Sequence, residues 1–525
     1  MRISTAQFYE SSAANYQKNF ANVVKSSEEA SSLVRVNTAA DDPVGASRLL
    51  QLGQQASMLD QYAANTNTLK ATLGTTEAVM TSISNVLQRA KELAVSAGNA
   101  GYTDADRQAT ASELGQIEEQ LLSLMNTKDE NGKYIFSGSK GDTAPFSRNN
   151  DGTYSYNGDQ VTLDLAIGDT MSMATNSTGW DAFQQAINTS RSQVTMTPPT
   201  VDDGRVTLTN GQVSSNVSYN NKFRSGEPYT VEFDSGSQLK ITDSAGNDVT
   251  AEATQGGAFD PSSNKAQAIS FRGVDLTLNI NLAAGEDADA ILTGREFTLA
   301  AKPDTFNVSR SPGNPTATQV TGTSITDPVA YHASFPSGSA VLKFTSDTAF
   351  DLYAAPITAD SKPVSSGTLV GNVATTSGVK FTLNNTAADP LAAGDQFSVA
   401  VNSHETQNIL DTVSQLKTAL NTPTNGDPIA TQKLQASLAS GIANLASGAD
   451  QLSSALSSVG GRGSALDTQI DTNQSLVLAN AQTQSSIRDS DPAEVMTRLT
   501  LQQTMLQASQ LAFSKIAQLG LFNKI

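Results

Sequence analysis

Apolar residues follow two rhythms along this chain. At both ends they recur every three or four residues, and in the middle every second residue. Near the start, Tyr9, Ala13, Tyr16, Phe20, Val23, Ser27, Ala30 and Val34 alternate steps of four and three. Near the end, Val495, Leu499, Leu506, Phe513, Ile516 and Gly520 form one stripe, which Met505, Ala512 and Leu519 widen. A mean step of ~3.5 predicts a helix face that packs on another helix. Ends of this kind either join each other in a coiled coil or lend themselves to a neighbour.

Three further heptads lie inside them. Val79, Ile83, Val86, Ala90, Leu93 and Ala97 stop at the turn signal Gly98-Asn99-Ala100-Gly101. Ala111, Leu114, Ile117, Leu121 and Leu124 follow. Leu438, Ile442, Leu445, Ala449, Leu452, Leu456 and Val459 are the cleanest, and Leu466, Ile470 and Val477 resume their register. Between them sits Gly460-Gly461-Arg462-Gly463, which reads as a bend or a close helix approach, because each glycine costs a helix interior ~1 kcal/mol against alanine. Asp42 before Pro43 and Asp491 before Pro492 read as helix starts, with aspartate as N-cap and proline at the first helical position. Pro423 to Pro428 interrupt the helical pattern.

From about 145 to 402 the two-residue period predicts strands. Tyr154 and Tyr156, then Val161, Leu163 and Leu165, flank Asn157-Gly158-Asp159, which predicts a hairpin with that turn at its tip. An internal repeat follows. Tyr229–Phe233, Leu239–Ile241, Ile269–Phe271, Leu276–Leu278 and Phe297–Leu299 are answered by Val341–Phe344, Phe350–Leu352, Val379–Leu383 and Phe397–Val399. Both halves close with Gly-x-x-Phe-[Thr/Ser]-[Leu/Val], so two related β domains are expected.

The expected fold class is α+β and multidomain: a helical coiled-coil rod made from paired N- and C-terminal segments, with inserted antiparallel β domains. The expected divisions are an N-terminal assembly helix (1–40), half of the rod (41–145), a β-hairpin and connecting segment (146–195), a first β domain (196–310), a second, related one (311–402), the other half of the rod (403–488) and a C-terminal assembly helix (489–525).

Composition narrows what such a molecule does. Hydrophobic residues make up 38% and aromatics 6% of 525 residues, too little for one large core. The formal charge is −18 with no basic run, which excludes a nucleic-acid groove. Cysteine is absent, so disulfides and thiolate-bound zinc are excluded. No apolar stretch approaches the ~18–20 residues of a membrane span, and Met1–Gln7 lacks the apolar region of a secretory signal, so any export is expected to bypass a cleaved signal.

Candidate chemistry is sparse. His404-Glu405 opens like a zinc-protease motif, but Asn408 stands where the second histidine belongs. His332 is remote in sequence. Asp129-Glu130-Asn131-Gly132 lacks the ligand ladder of a calcium loop and reads as a turn. The carboxylates Asp41-Asp42 and Asp489/Asp491 precede proline-started helices and read as caps. No phosphate-binding glycine loop or nucleophile elbow is present. An enzyme, a metal centre and a bound cofactor are therefore not expected. The two ends carry too few large apolar side chains to stand alone, so they are expected to be partly disordered in a free monomer and to fold on a neighbour.

Several segments carry a resemblance. Met1-Arg2-Ile3-Ser4-Thr5, the run from Arg35 through Asn37-Thr38-Ala39-Ala40-Asp41-Asp42-Pro43 to Ala46, and Asn85–Val95 resemble the flagellin and hook-associated family of bacterial axial proteins, over about 1–140 and 405–525. Gly132–Gly138 and Leu519–Ile525 are similar to members at the junction between hook and filament. The resemblance implies a structural, non-enzymatic protein of the extracellular flagellum. It implies export through the flagellar type III apparatus with a dedicated chaperone. The implied partners are hook-associated protein one, flagellin and identical subunits, with no nucleic acid and no membrane insertion. The implied assembly interface is Tyr9, Tyr16, Phe20, Val23, Leu499, Leu506, Phe513, Ile516, Leu519 and Phe522. The alternatives are a filament-forming flagellin and, from another class, a surface adhesin or glycan-binding protein working through the β repeats.

Overall fold

The computed structural model describes residues 2–522 except 100, 150–151, 197–201, 264, 284, 312, 328–329, 332–333, 336–339, 355–356, 358–360, 387–389, 403 and 425. Its longer helices are α1 (Arg2–Ser32), α2 (Pro43–Ala97), α3 (Asp104–Met125), α4 (Ile409–Asn421), α5 (Pro428–Arg488) and α6 (Pro492–Phe522). The starts of these helices are written in side chains. Asp42 Oδ1 accepts from the Gly45 N–H at 2.9 Å, and a Cβ on Gly45 would stand 2.5 Å from the other carboxylate oxygen. Asp427 accepts from the Ile429 N–H (2.8 Å) and Asp491 from the Ala493 N–H (2.8 Å), each with proline at the first helical position. Thr103 and Asp106 close a reciprocal capping box on α3.

Two compact units make up the chain: 1–71 with 164–173 and 462–525, and 72–163 with 174–461. In the first unit α1 lies along α6, and the start of α2 lies along the end of α5. Lys70 pairs with Asp467 at 2.7 Å, and Asn480 Nδ2 donates to the Leu52 carbonyl at 3.1 Å. One row of buried positions along α5 keeps a seven-residue spacing: Leu438, Leu445, Leu452, Val459, Leu466, Asn473, Asn480. The last two are asparagines. Asn473 Nδ2 donates to the Ile167 carbonyl at 2.9 Å, where the tip of a hairpin, β3 (Asp164–Ala166) and β4 (Ser172–Ala174), enters the unit. Val477, expected to continue the apolar register, is exposed. The glycine cluster does not interrupt α5 and marks no close approach: a Cβ on Gly460, Gly461 or Gly463 would meet nothing within 4 Å.

The second unit holds both β domains, and every strand pair in them is antiparallel. The first contains β5 (Ser192–Met196), β6 (Val206–Leu208), β7 (Gln212–Val213), β8 (Tyr229–Ser235), β9 (Gln238–Thr242), β10 (Gln267–Phe271), β11 (Val274–Ile280) and β12 (Glu296–Ala301). The second contains β13 (Thr305–Arg310), β14 (Val320–Ile325), β15 (Ala340–Phe344), β16 (Ala349–Ala354), β17 (Ser365–Thr368), β18 (Val373–Thr376), β19 (Val379–Leu383) and β20 (Gln396–Asn402). One sheet of each has the same order, β5-β12-β8-β9 against β13-β20-β15-β16-β17, and so has the other, β10-β11-β6 against β18-β19-β14. The repeat seen in the sequence is thus a repeat of topology, and each domain encloses its own core.

Two expected boundaries move, and one expected hairpin is replaced. β5 belongs to the first β domain, not to the connecting segment, because it pairs with β12. β13 opens the second domain instead of ending the first, because it pairs with β20. Both are edge strands whose partner lies about a hundred residues away, so local pattern cannot assign them. The predicted hairpin around Asn157-Gly158-Asp159 does not form. β2 (Tyr154–Tyr156) pairs back to β1 (Phe146–Arg148), and β3 pairs forward to β4. The turn is held by Asp159, which accepts from the Ser139 N–H at 2.8 Å, and by the Tyr156 hydroxyl, which donates to carbonyl oxygens of Phe136 (3.0 Å) and Asp159 (2.8 Å).

Candidate functional site

The paired termini are the region to test for function, since the sequence pointed there. α1 and α6 run antiparallel in one seam. Tyr16 stacks on Phe513 with ring centroids 6.4 Å apart, and its hydroxyl accepts from Gln510 Nε2 at 3.3 Å. Asn19 Nδ2 donates to Ser509 Oγ at 2.6 Å. Val23, Leu499 and Leu506 are half-buried, and Val495 is buried.

Below the seam the two chain segments are clasped. The Arg35 N–H donates to the Arg488 carbonyl (2.7 Å), the Ser490 N–H to that of Leu33 (2.9 Å), and Arg35 Nη2 to that of Ile487 (2.7 Å). Glu29 accepts from Ser490 Oγ at 2.6 Å and pairs with Arg498. Burial pushes the Glu29 carboxyl up, but these two bonds outweigh it and leave it below its usual range. Lys25 pairs with Asp41 at 2.8 Å. That bond, then those from the Thr38 N–H and hydroxyl, holds the Asp41 carboxyl well below the usual carboxylate range.

Of the expected interface residues, Tyr16, Val23, Leu499, Leu506 and Phe513 meet within this one chain. Phe20 does not: it is 53% exposed. The seam at that level is taken by Asn19, one residue earlier, because its amide finds Ser509. Tyr9, Ile516, Leu519 and Phe522 lie in helical backbone, but their side chains fall outside the described residues.

On α6 the structure also exposes large apolar side chains that the expected interface did not include: Met496, Leu501, Met505 and Leu511, Leu501 by 60% and Leu511 by 63%. Met505 therefore does not widen the seam. With Phe20 and Val24 on α1 and Val44 and Leu50 on α2, these side chains give the unit large apolar groups that no described residue covers. The step of four from Leu501 to Met505 was the available signal, masked by the stronger stripe beside it.

The other candidates resolve into structure. Asp129 Oδ1 accepts from the Asn131 and Lys133 N–H groups at 2.9 and 2.8 Å, which closes a turn. His404 Nε2 lies 3.1 Å from the Pro303 carbonyl, and burial pushes its imidazole down. His332 falls outside the described residues. Among the described residues no three His, Cys, Asp or Glu side chains gather as metal ligands, and no helix is long and apolar enough to cross a membrane.

Comparison with known proteins meets this geometry. Residues 3–141 match the bacterial flagellin N-terminal helical region, and residues 441–523 match the flagellin C-terminal helical region. A Salmonella typhimurium protein named flagellar hook-associated protein 3 is 33% identical over 183 residues, which cover 35% of this chain and 57% of that protein. The Escherichia coli protein of the same name is 35% identical over 147 residues, covering 28% and 46%. The chain thus spans about half the length of these curated relatives. A crystal structure of flagellar hook associated protein-3 from Legionella pneumophila superimposes with a TM-score of 0.51, covering 83% of this chain and 98% of that one at 20% identity, which shows a shared fold.

Proposed function

We propose that this chain, whose two terminal regions match the flagellin N- and C-terminal helical regions, is a structural subunit of the bacterial flagellum that forms the junction between hook and filament. One observation carries the reading. Tyr16 and Phe513 of the α1 and α6 stripes stack inside the chain, with Val23, Leu499 and Leu506 half-buried beside them, while Phe20 on α1 and Leu501, Met505 and Leu511 on α6 are left exposed. Such a face suits heterologous packing, in which one surface of a subunit meets a different surface of the next and the assembly does not close on itself. Identical subunits are the first partners. Hook-associated protein one on one side and flagellin on the other are the neighbours of a junction. Delivery by the flagellar type III apparatus with a chaperone would put such a subunit outside the cell. No chemistry is required: the work is mechanical.

The test compares two faces of one helix. Leu501→Asp and Met505→Asp should leave the purified monomer's circular dichroism and melting unchanged yet abolish filament attachment and motility in cells. Leu506→Asp and Phe513→Asp should abolish attachment and also loosen the α1–α6 pair. Normal motility in the Leu501 and Met505 variants would refute the proposed face. Filaments that stay attached in a strain lacking the protein would refute the junction itself.

A further inference from the structure

One cleft of mixed polar and apolar lining lies outside the unit that holds the terminal helices. It lies within the second unit, between the first β domain and α5, with a volume of about 1040 Å³, at the upper end of the ~300–1,000 Å³ of small-molecule sites. One wall is the outward row of the strands: Thr207, Asp275, Thr277 and Asn279. The other is the start of α5, with Gln432, Gln435, Ser440 and Asn444. Both walls are built. Asn444 is buried, its Oδ1 accepts from the Thr189 N–H (2.8 Å) and hydroxyl (2.7 Å), and its Nδ2 donates to Asn188 Oδ1 (3.1 Å). Thr207 donates to Gln432 across the cleft. A Cβ on Gly211, at φ +80°, would fall 2.6 Å from Val274 Cγ1, which fixes the turn at the lip.

The lining also includes a half-buried cation, Lys302. Among the described residues no ion pair joins it to a carboxylate, although Asp202 and Asp275 also line the cleft, and burial pushes its ammonium down. A cation drawn out of water without a counter-ion favours an anionic ligand. The rest of the polar lining is mostly neutral amides and hydroxyls, which suit a ligand rich in hydroxyl groups. Addition of a peptide strand is disfavoured, because the Val194 N–H on the edge strand β5 is already taken by Asn210 Oδ1 at 2.9 Å.

We infer that the cleft between β6/β11 and α5 is a binding site for a carboxylated oligosaccharide, with Lys302 on the carboxylate and the amide and hydroxyl walls on the sugar hydroxyls. The site is independent of the helical assembly face.

The test is titration calorimetry on the full chain with a galacturonic acid trisaccharide, the neutral galactose trisaccharide and triglutamate as probes. The acidic sugar should bind saturably and roughly tenfold or more tighter than the neutral one, in keeping with one charge-assisted bond. Lys302→Met should erase that difference, and Asn279→Leu, on the strand wall, should weaken both sugars. Melting curves identify any variant that fails to fold, and Asn279→Leu then carries the test. No saturable sugar binding, an unchanged sugar preference in Lys302→Met, or equal binding of triglutamate would each overturn the inference.

Discussion

The two β domains enclose their own cores, while the terminal helix pair has almost none. In the first β domain Tyr229, Phe223, Phe271 and Phe297 are buried together, and in the second Phe344, Phe350, Phe381 and Phe397. Among the described residues of α1 and α6, the buried side chains are Ser26 and Val495. The seam between those helices is half-wet and stitched by Asn19–Ser509 and Gln510–Tyr16. The contrast separates two ways of reaching stability. A sandwich of aromatic and aliphatic residues is self-sufficient. A long helix pair with small and polar seam residues needs further surface against it.

The comparison can be broken at its strong side first. Phe381→Ala should cost ~3–5 kcal/mol, the usual loss for a fully buried phenylalanine. Urea unfolding should then show the second β domain melting early with the helical signal retained; a joint transition would mean that the two regions are not independent. Next comes the asparagine end of the α5 seam. Asn473→Ala orphans the Ile167 carbonyl and should cost ~1–3 kcal/mol in a thermal melt. An unchanged melt would assign the Asn473–Ile167 bond no net worth. Limited proteolysis of dilute monomer then probes the weak side, and removal of about 30–60 residues from each end with the β domains intact is the expected pattern. Resistant ends would show the pair to be self-sufficient after all.

Smaller effects sharpen the picture. Gly461→Ala should stabilise by up to ~1 kcal/mol, because the site is helical and open to solvent. Acid acts on both regions. Bonds from Arg295 at 2.7 and 2.6 Å hold the Asp203 carboxyl at about 2, and Asp41 is also depressed. A depressed carboxyl contributes fully above its unfolded value of ~3.9 and loses that contribution as pH falls through the folded value. These groups should therefore leave the melting midpoint flat between pH 7 and ~5 and lower it between ~4 and ~2. Asp203→Asn should remove part of that fall from the first β domain. Because one partner of each pair stays open to water, which screens the pair, the effect is the smallest of the set.

Much of this architecture was legible in residue order, because its causes are local. Asp42-Pro43 and Asp491-Pro492 mark helix starts since a carboxylate and a ring of fixed φ act on the very next turn. By the same logic Asp427-Pro428 could have been read as a start instead of an interruption. The Leu438-to-Leu466 heptad is a pattern of burial within one element, and its every-seventh row is buried as read. What only the tertiary structure decided is which partner each element takes. Asn473 and Asn480 hold heptad positions because the carbonyls of Ile167 and Leu52 stand opposite them, hundreds of residues away. Phe20 yields its place to Asn19 because Ser509 stands opposite, and β5 and β13 join sheets by meeting β12 and β20. A hydrogen bond is directional and needs its second half in place, whereas hydrophobic burial needs only a face; so the faces could be read from the chain, and their partners could not.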